Sequence, residues 1–198
     1  MGKKKFISLS FLAGAMVGIG NVVNLSVEDK VLGAFLFSLG LLTILHLGLN
    51  LYTGKIGLMS EKFVDYILML VFNILGVIVV SVIMSYCDRN LAGRFSSIAG
   101  TKLETPVLVA FFKSIFCGIL MYVAVAAYKK ETVDMIFKCS ITILCVMVFI
   151  LSGFRHCIAD AYCLLYLDSF AGFMSYLAVI LGNTVGAIGF HVLYSKID

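Results

Sequence analysis

The chain has 198 residues, and the balance of its side chains excludes an ordinary soluble protein. Hydrophobic residues make up 62% and charged residues 13%, whereas a soluble domain has about half and about a quarter, respectively. The formal net charge of +4 comes from basic residues in short segments between apolar runs, so no nucleic-acid partner is indicated. We therefore expect one integral membrane domain over residues 1–198.

Six apolar segments are long enough to cross a bilayer, which takes about 20 residues of helix. They are residues 6–25, 31–51, 64–86, 107–128, 135–154 and 172–194. The first follows the basic start MGKKK, as the apolar part of a signal peptide would, but no clear small-residue cleavage site follows it. Gly14, Gly18 and Gly20 suit helix packing, so we interpret this segment as the first membrane span.

Lysine and arginine in the connecting segments predict the orientation, because short cytoplasmic loops are enriched in them. With a cytoplasmic amino terminus, nine of these residues lie on the cytoplasmic side and five on the outer side. We predict a multi-pass protein of the plasma membrane with both termini in the cytoplasm. Segment 87–106, which we interpret as a basic outer loop, weakens this asymmetry.

The second and fifth spans run into apolar segments that polar residues and glycines interrupt. These segments are LNLYTGKIGLM after span two and SGFRHCIADAYCLLYL after span five. Two interrupted segments in matching positions are typical of an inverted repeat, and the next span in each half carries Asn-x-x-Gly, from Asn73 and Asn183. The expected fold is an all-α membrane protein with six transmembrane helices. They form two inverted three-helix repeats whose second and fifth helices are interrupted, as in an aquaporin-like protomer.

Three ionisable side chains lie close together in the second interrupted segment. Arg155, His156 and Asp160 fall within six positions, although a charge at the membrane centre costs about 2.5–3.5 kcal/mol on insertion scales. Such residues usually mark a pathway or a binding site. The alternative is an ion pair between Arg155 and Asp160 at the outer interface, with His156 only a satisfied hydrogen-bond donor.

Catalytic and metal-binding patterns are missing from the sequence. The six cysteines form no CxxC pair and mostly lie in or beside apolar runs, where cysteine acts as a small apolar side chain. No HExxH motif and no cofactor fingerprint occurs. We therefore expect neither an enzyme nor a bound metal or cofactor.

Five segments, taken in order, match the motifs of one known family. They are FLAGAMVGIG, FSLGLLTILHLGLNLYTG, KLETPVLVAFFKSIFCGIL, SGFRHCIADAY and LGNTVGAIGF. Together they resemble the formate/nitrite transporter family of pentameric small-anion channels. The most specific segment is similar to the family's Gly-Phe-Glu-His followed by Ala-Asn. This chain departs from the family pattern at Arg155, where the family has an acidic residue, and at Asp160 and Gly118, where it has asparagines.

The resemblance implies a pore in each protomer, with two apolar constrictions and a histidine between them. By motif position, the outer constriction is formed by Phe37, Leu41 and Phe149, and the inner constriction by Leu51, Tyr52 and Met121. The central chamber between them holds His156, Thr53 and Asp160. Lys102 attracts anions at the outer mouth. Apolar side chains at these positions are also what ordinary core packing uses. Since an unperturbed histidine titrates near about pH 6.5, the central one could donate a hydrogen bond or a proton.

The resemblance therefore implies a channel or transporter for small monovalent anions of weak acids, in a lipid bilayer and as a homopentamer. Formate, nitrite and hydrosulfide are the candidate substrates. Two alternatives stay open on the residues alone. One is an aquaporin-like channel for neutral small solutes, in which the charged residues are structural, and the other is a membrane scaffold subunit.

Overall fold

Helices form all the regular secondary structure in the computed structural model, which describes residues 2–197. The α-helices are α1 (Lys3–Ser26), α2 (Lys30–His46), α3 (Tyr52–Lys55), α4 (Phe63–Cys87), α5 (Arg89–Leu103), α6 (Val107–Lys129), α7 (Met135–Leu151) and α8 (Phe170–Tyr194), with 3₁₀ helices at Ile56–Leu58 and Ala159–Tyr166. No strand occurs in this part of the chain, so the prediction of an all-α fold is confirmed.

Four of these helices, α1, α4, α6 and α8, are long and apolar enough to cross a membrane. Helices α2 and α7 are apolar but shorter, with 17 residues each, and they end at His46 and Leu151. The predicted spans 31–51 and 135–154 therefore extend past the ends of their helices. The reason is that the sequence stays apolar after the last helical turn, so hydropathy alone does not locate the end.

Residues 87–106, interpreted above as an outer loop, contain the helix α5. Asp88 caps its amino terminus by accepting hydrogen bonds from the backbone N–H groups of Asn90 and Leu91, at 2.9 and 3.1 Å. Apolar residues at four-residue spacing are buried on one face: Leu91, Phe95, Ala99 and Leu103. The helix packs against the 3₁₀ helix Ala159–Tyr166. The aspartate cap and the four-residue spacing of apolar residues are the sequence signals for α5. The polar residues between these apolar ones make the segment resemble a loop.

Helices α2 and α7 end in the same backbone conformation. Gly48 and Gly153 follow the last turns with φ of +65° and +66°, in the left-handed region. In both cases the next residue donates its backbone N–H to the carbonyl five residues earlier, at 2.9 Å. Glycine adopts this conformation without a clash of Cβ, so the two glycines determine where the helices stop.

One buried asparagine, Asn73 of α4, holds the segment that follows α2. Its Oδ1 accepts a hydrogen bond from the backbone N–H of Tyr52 at 2.8 Å. Its Nδ2 donates to the backbone carbonyls of Ser10 and Asn50, at 2.6 and 2.8 Å. The side chain therefore pairs the backbone groups of Tyr52 and Asn50, which no helix satisfies and which have no access to water, and ties them to Ser10 of α1.

Asn183 of α8 makes the same set of bonds in the second half of the chain. Its Oδ1 accepts from the backbone N–H of Cys157, and its Nδ2 donates to the carbonyls of Ser114 and Arg155, all at 2.8 Å. The two Asn-x-x-Gly motifs of the sequence thus have the same structural role. They hold equivalent segments after α2 and α7.

Close helix crossings accompany these asparagines. Helix α1 meets α4 where Gly14 faces Asn73, and α6 meets α8 where Gly118 faces Asn183. A Cβ atom at Gly14 or Gly118 would lie 2.0 or 2.2 Å from the carbonyl oxygen of the facing asparagine. This backbone contact explains the glycine at position 118, because a larger residue there would force α6 and α8 apart.

Asn183→Ala should destabilise the detergent-solubilised protein. The change leaves the buried N–H of Cys157 and the buried carbonyl of Arg155 without partners, and each unpaired group costs about 1–3 kcal/mol. We expect a clearly lower midpoint of thermal unfolding, followed by circular dichroism. Asn90→Ala, at an exposed position of α5, is the matched control and should leave the midpoint unchanged. Equal midpoints for the two variants would contradict the role given to Asn183.

Candidate functional site

His156 and Thr53 meet where the two interrupted segments approach each other. Thr53 Oγ1 lies 2.9 Å from His156 Nε2, and the residues are separated by 103 positions in the sequence. Both residues are buried, with 1% and 3% of their surfaces exposed, respectively. The caps of α2 and α7 and the two asparagines place them there, since one residue comes from each segment. The contact is a polar pair inside an apolar interior.

The backbone fixes which ring nitrogen of His156 carries the proton when the ring is neutral. The N–H of Ala159 donates to Nδ1 at 2.9 Å, so Nδ1 is an acceptor. The neutral ring therefore holds its proton on Nε2 and donates to the Thr53 hydroxyl oxygen. Thr53 keeps its own hydroxyl hydrogen for donation to another acceptor. Protonating Nδ1 would require the ring to give up its bond with Ala159, which opposes formation of the imidazolium.

One aromatic side chain of the predicted outer constriction, Phe149, lies against the imidazole. The Phe149 ring stacks on the ring of His156 with centroids 5.5 Å apart and meets Phe37 edge-on with centroids 5.8 Å apart. Leu41 lies one turn after Phe37 on α2 and is buried like the two phenylalanines. These three side chains therefore face the protein interior, and two of them contact each other directly.

The residues of the predicted inner constriction, Leu51, Tyr52 and Met121, are also buried. Tyr52 is held in place by a 2.8 Å hydrogen bond between its hydroxyl and Thr184 Oγ1. Leu41 and Leu51, one from each predicted constriction, line a common cavity of about 260 Å³. Both predicted sets thus belong to one continuous apolar interior that surrounds the histidine.

Asp160 belongs to a buried ion network in the second interrupted segment. Its carboxylate accepts hydrogen bonds from Arg155 Nε and Lys102 Nζ. Arg155 also donates from Nη1 to the backbone carbonyl of Lys102 at 2.9 Å, which ties the segment to α5. The Asp160 backbone N–H donates to the carbonyl of His156 at 2.8 Å, so the network adjoins the histidine. Lys102, expected as an anion-attracting residue at the outer mouth, is therefore also an ion-pair partner of Asp160.

The equivalent segment in the first half carries different charges. Asn50 occupies the position equivalent to Arg155, because its carbonyl accepts the corresponding asparagine bond. Five residues later, Lys55 donates to Asn50 Oδ1 at 2.8 Å and to Glu61 at 3.1 Å. Lys55 stands where the second half has Asp160. The two halves thus match in backbone pairing and differ in the charge of the side chains beside the site.

Two distant side chains support the histidine segment, and sequence reasoning missed both. Asn21 of α1 donates to the carbonyl of Ala159, and the Tyr176 hydroxyl of α8 donates to the carbonyl of Cys157, each at 2.8 Å. Asn21 lies 138 positions from its partner, so no local pattern in the sequence indicates the pair. A polar amide within an apolar membrane span was the available signal for Asn21.

Among residues 2–197, no group of three His, Cys, Asp or Glu side chains lies close enough together to hold a metal ion. The six cysteines are unpaired thiols, and most are buried in apolar surroundings.

Comparison with known proteins identifies relatives across the chain. Residues 1–196 match the family model described as Formate/nitrite transporter. The nitrite transporter NirC of Escherichia coli (strain K12) is 29% identical over 175 residues, which cover 76% of this chain and 64% of NirC. The formate channel FocA of Haemophilus influenzae is 25% identical over 150 residues, which cover 67% of this chain and 52% of FocA. The alignments thus span about half to two thirds of these relatives.

Solved structures of channels share the fold. A pentameric formate channel with formate bound superposes with a TM-score of 0.85 at 24% identity, covering 100% of this chain and 98% of that one. An ion channel of the FNT family superposes with a TM-score of 0.83 at 21% identity, covering 100% of this chain and 91% of that one. At this identity the likeness concerns the fold. Because the family model matches nearly the entire chain, the protein belongs to the formate/nitrite transporter family.

Proposed function

We propose that this protein is a channel for small monovalent anions of weak acids, namely formate, nitrite or hydrosulfide, across the plasma membrane. The observation that carries the proposal is the buried contact between His156 and Thr53, which joins the two interrupted segments inside an apolar interior. Membership of the family and the names of NirC and FocA support transport of nitrite or formate. We propose no enzymatic activity.

In this proposal the chain crosses the bilayer six times. Helices α1, α4, α6 and α8 cross completely, whereas α2 and α7, each with the short helices that follow, form two interrupted spans. The matched glycine caps and asparagine bonds support two inverted three-helix repeats. The excess of lysine and arginine in the segments on the amino-terminal side supports both termini in the cytoplasm. A solved channel of the same fold is pentameric, which supports a homopentamer embedded in lipid.

The apolar side chains on the two sides of His156 oppose the passage of hydrated ions. Phe37, Leu41 and Phe149 form the outer constriction, and Leu51, Tyr52 and Met121 form the inner one. An anion loses water in such narrow apolar rings at a large free-energy cost. A singly charged anion loses less hydration free energy than a multiply charged one, and a small anion fits the narrow rings. It crosses only if the chamber between the rings restores hydrogen bonds.

His156 and Thr53 provide these hydrogen bonds. In the neutral tautomer fixed by Ala159, His156 Nε2–H donates a hydrogen bond to the Thr53 hydroxyl oxygen when no anion is bound. An arriving anion replaces that oxygen as the acceptor, and the Thr53 hydroxyl turns to donate to the same anion. Both donors act without ionisation of the ring, so we propose hydrogen bonding as the primary role of His156 and proton transfer as a secondary one.

Proteoliposomes that contain the purified protein test the function directly. We expect saturable flux of formate and nitrite, followed by swelling, in the presence of a concentration gradient. Glycerol and urea should not enter faster than in protein-free liposomes, because the constrictions and donors suit an anion. Entry of the neutral solutes without entry of anions would replace the proposal with a neutral-solute channel, and no flux of either kind would favour a scaffold.

Thr53→Val tests the chamber at nearly constant side-chain volume. Removing the hydroxyl should lower the flux of formate about tenfold or more, as expected for losing one hydrogen bond to a charged group. Thr53→Ser keeps the hydroxyl and should conduct close to the parent rate. His156→Asn retains a donor with a different reach, so its preference among anions should change. Parent-like flux in Thr53→Val would make the hydroxyl a structural group only.

Lys102→Ala tests attraction at the outer mouth. We expect flux to fall mainly at low anion concentration and low ionic strength, because salt screens a charge near the surface. Lys30→Ala, at the exposed start of α2, is the matched control with the same loss of charge. An equal reduction at every salt concentration would mean that Lys102 serves to pair Asp160 and not to attract anions.

A further inference from the structure

We propose that Arg155 is an anion-binding residue that gives this channel a preference for oxygen-bearing anions, such as formate and nitrite, over hydrosulfide. The inference rests on the anion permeation proposed above and narrows its substrate class. It starts from a guanidinium group that occupies the position directly before His156 and has one nitrogen without a partner.

Two of the three nitrogens of Arg155 are paired. Nε donates to Asp160, and Nη1 donates to the Lys102 carbonyl at 2.9 Å. Nη2 is buried and has no hydrogen-bond partner among residues 2–197, and the side chain is only 5% exposed. Among residues 2–197, a few buried side chains have a polar atom without a hydrogen-bond partner, and Arg155 is the only charged one of them. A charged donor without a partner is costly, so an incoming acceptor at Nη2 would be stabilised.

The surrounding charges also favour an anion. Lys102 and Arg155 each carry a positive charge and share one carboxylate, Asp160, so the network has a net charge of +1. Lys102 is 30% exposed and connects the network to the surface, whereas the other two side chains are almost completely buried. The network therefore provides a positive potential that extends from the surface to the residue before His156.

The chemistry of guanidinium accounts for the preference. Its N–H groups lie in one plane with fixed directions, and they match the planar oxygens of carboxylate-like anions better than a lysine ammonium does. Sulfur accepts hydrogen bonds more weakly than oxygen. An anion with oxygen acceptors therefore gains more from Nη2 than hydrosulfide does, although both gain equally from the net charge.

Two variants separate the donor from the charge. Arg155→Lys keeps the positive charge and a partner for Asp160 but removes the planar Nη2 donor. The double variant Arg155→Gln with Asp160→Asn removes both charges, so the network keeps its net charge of +1 through Lys102. Arg89→Lys, on the exposed start of α5, is the matched control. Thermal midpoints of all variants in detergent show whether each one folds.

The measurement is the concentration dependence of formate, nitrite and hydrosulfide flux in proteoliposomes at a pH where all three are ionised. In both Arg155 variants the half-saturating concentration of formate and nitrite should rise about tenfold or more, while that of hydrosulfide changes less than about twofold. The Arg89→Lys control should match the parent protein. If one of the two Arg155 variants fails to fold, the flux measured with the other variant tests the inference.

Other outcomes overturn the inference. An unchanged ratio of formate to hydrosulfide flux in the folded variants would show that Arg155 only pairs Asp160 and leaves the anion-channel proposal intact. An equal loss for all three anions would assign the effect to charge or to structure and likewise reject the donor role. No anion flux in the parent protein would reject the proposed function and, with it, this inference.

Discussion

The requirement that buried backbone groups be paired is the constraint on which the rest of this structure depends. Between α2 and α3, and between α7 and the 3₁₀ helix that follows it, a few residues lie in the apolar interior without helical hydrogen bonds, and Asn73 and Asn183 supply the missing partners. Each asparagine also joins two neighbouring helices at a glycine contact. The path of each interrupted segment and the packing of the long helices are therefore set by the same few atoms, and Thr53 and His156 meet as a result.

Much of the fold could be predicted because membrane-spanning helices and their interruptions leave strong signals in composition. The long apolar runs correspond to α1, α4, α6 and α8, and the polar interruptions correspond to the segments after α2 and α7. The ends of those two helices could not be predicted, since Gly48 and Gly153 lie in sequences that remain apolar on both sides. Helix α5 was missed for the opposite reason, because polar residues dominate its exposed face and hide the buried one.

The resemblance to the family indicated a set of positions for the candidate site, but it did not indicate the full set of contacts that these residues make. Sequence identifies Lys102, Arg155 and Asp160 as ionisable residues, yet it does not show that two cations share one carboxylate. Lys102 lies 58 positions from Asp160, so the sequence does not indicate that its ammonium group forms an ion pair with that carboxylate. The tautomer of His156 depends on a backbone N–H whose direction follows from a 3₁₀ turn, which no residue pattern specifies.

The two halves of the chain share a scaffold but surround His156 with unlike charges. Asn50 and Lys55 stand in one half where Arg155 and Asp160 stand in the other. An ion would therefore meet different electrostatic environments on approaching the chamber from the two sides of the bilayer. The channel proposed above is passive and would not move its substrate uphill. Its flux would nevertheless saturate at different anion concentrations for import and for export. The orientation of the protein in the membrane would therefore make the flux larger in one direction than in the other.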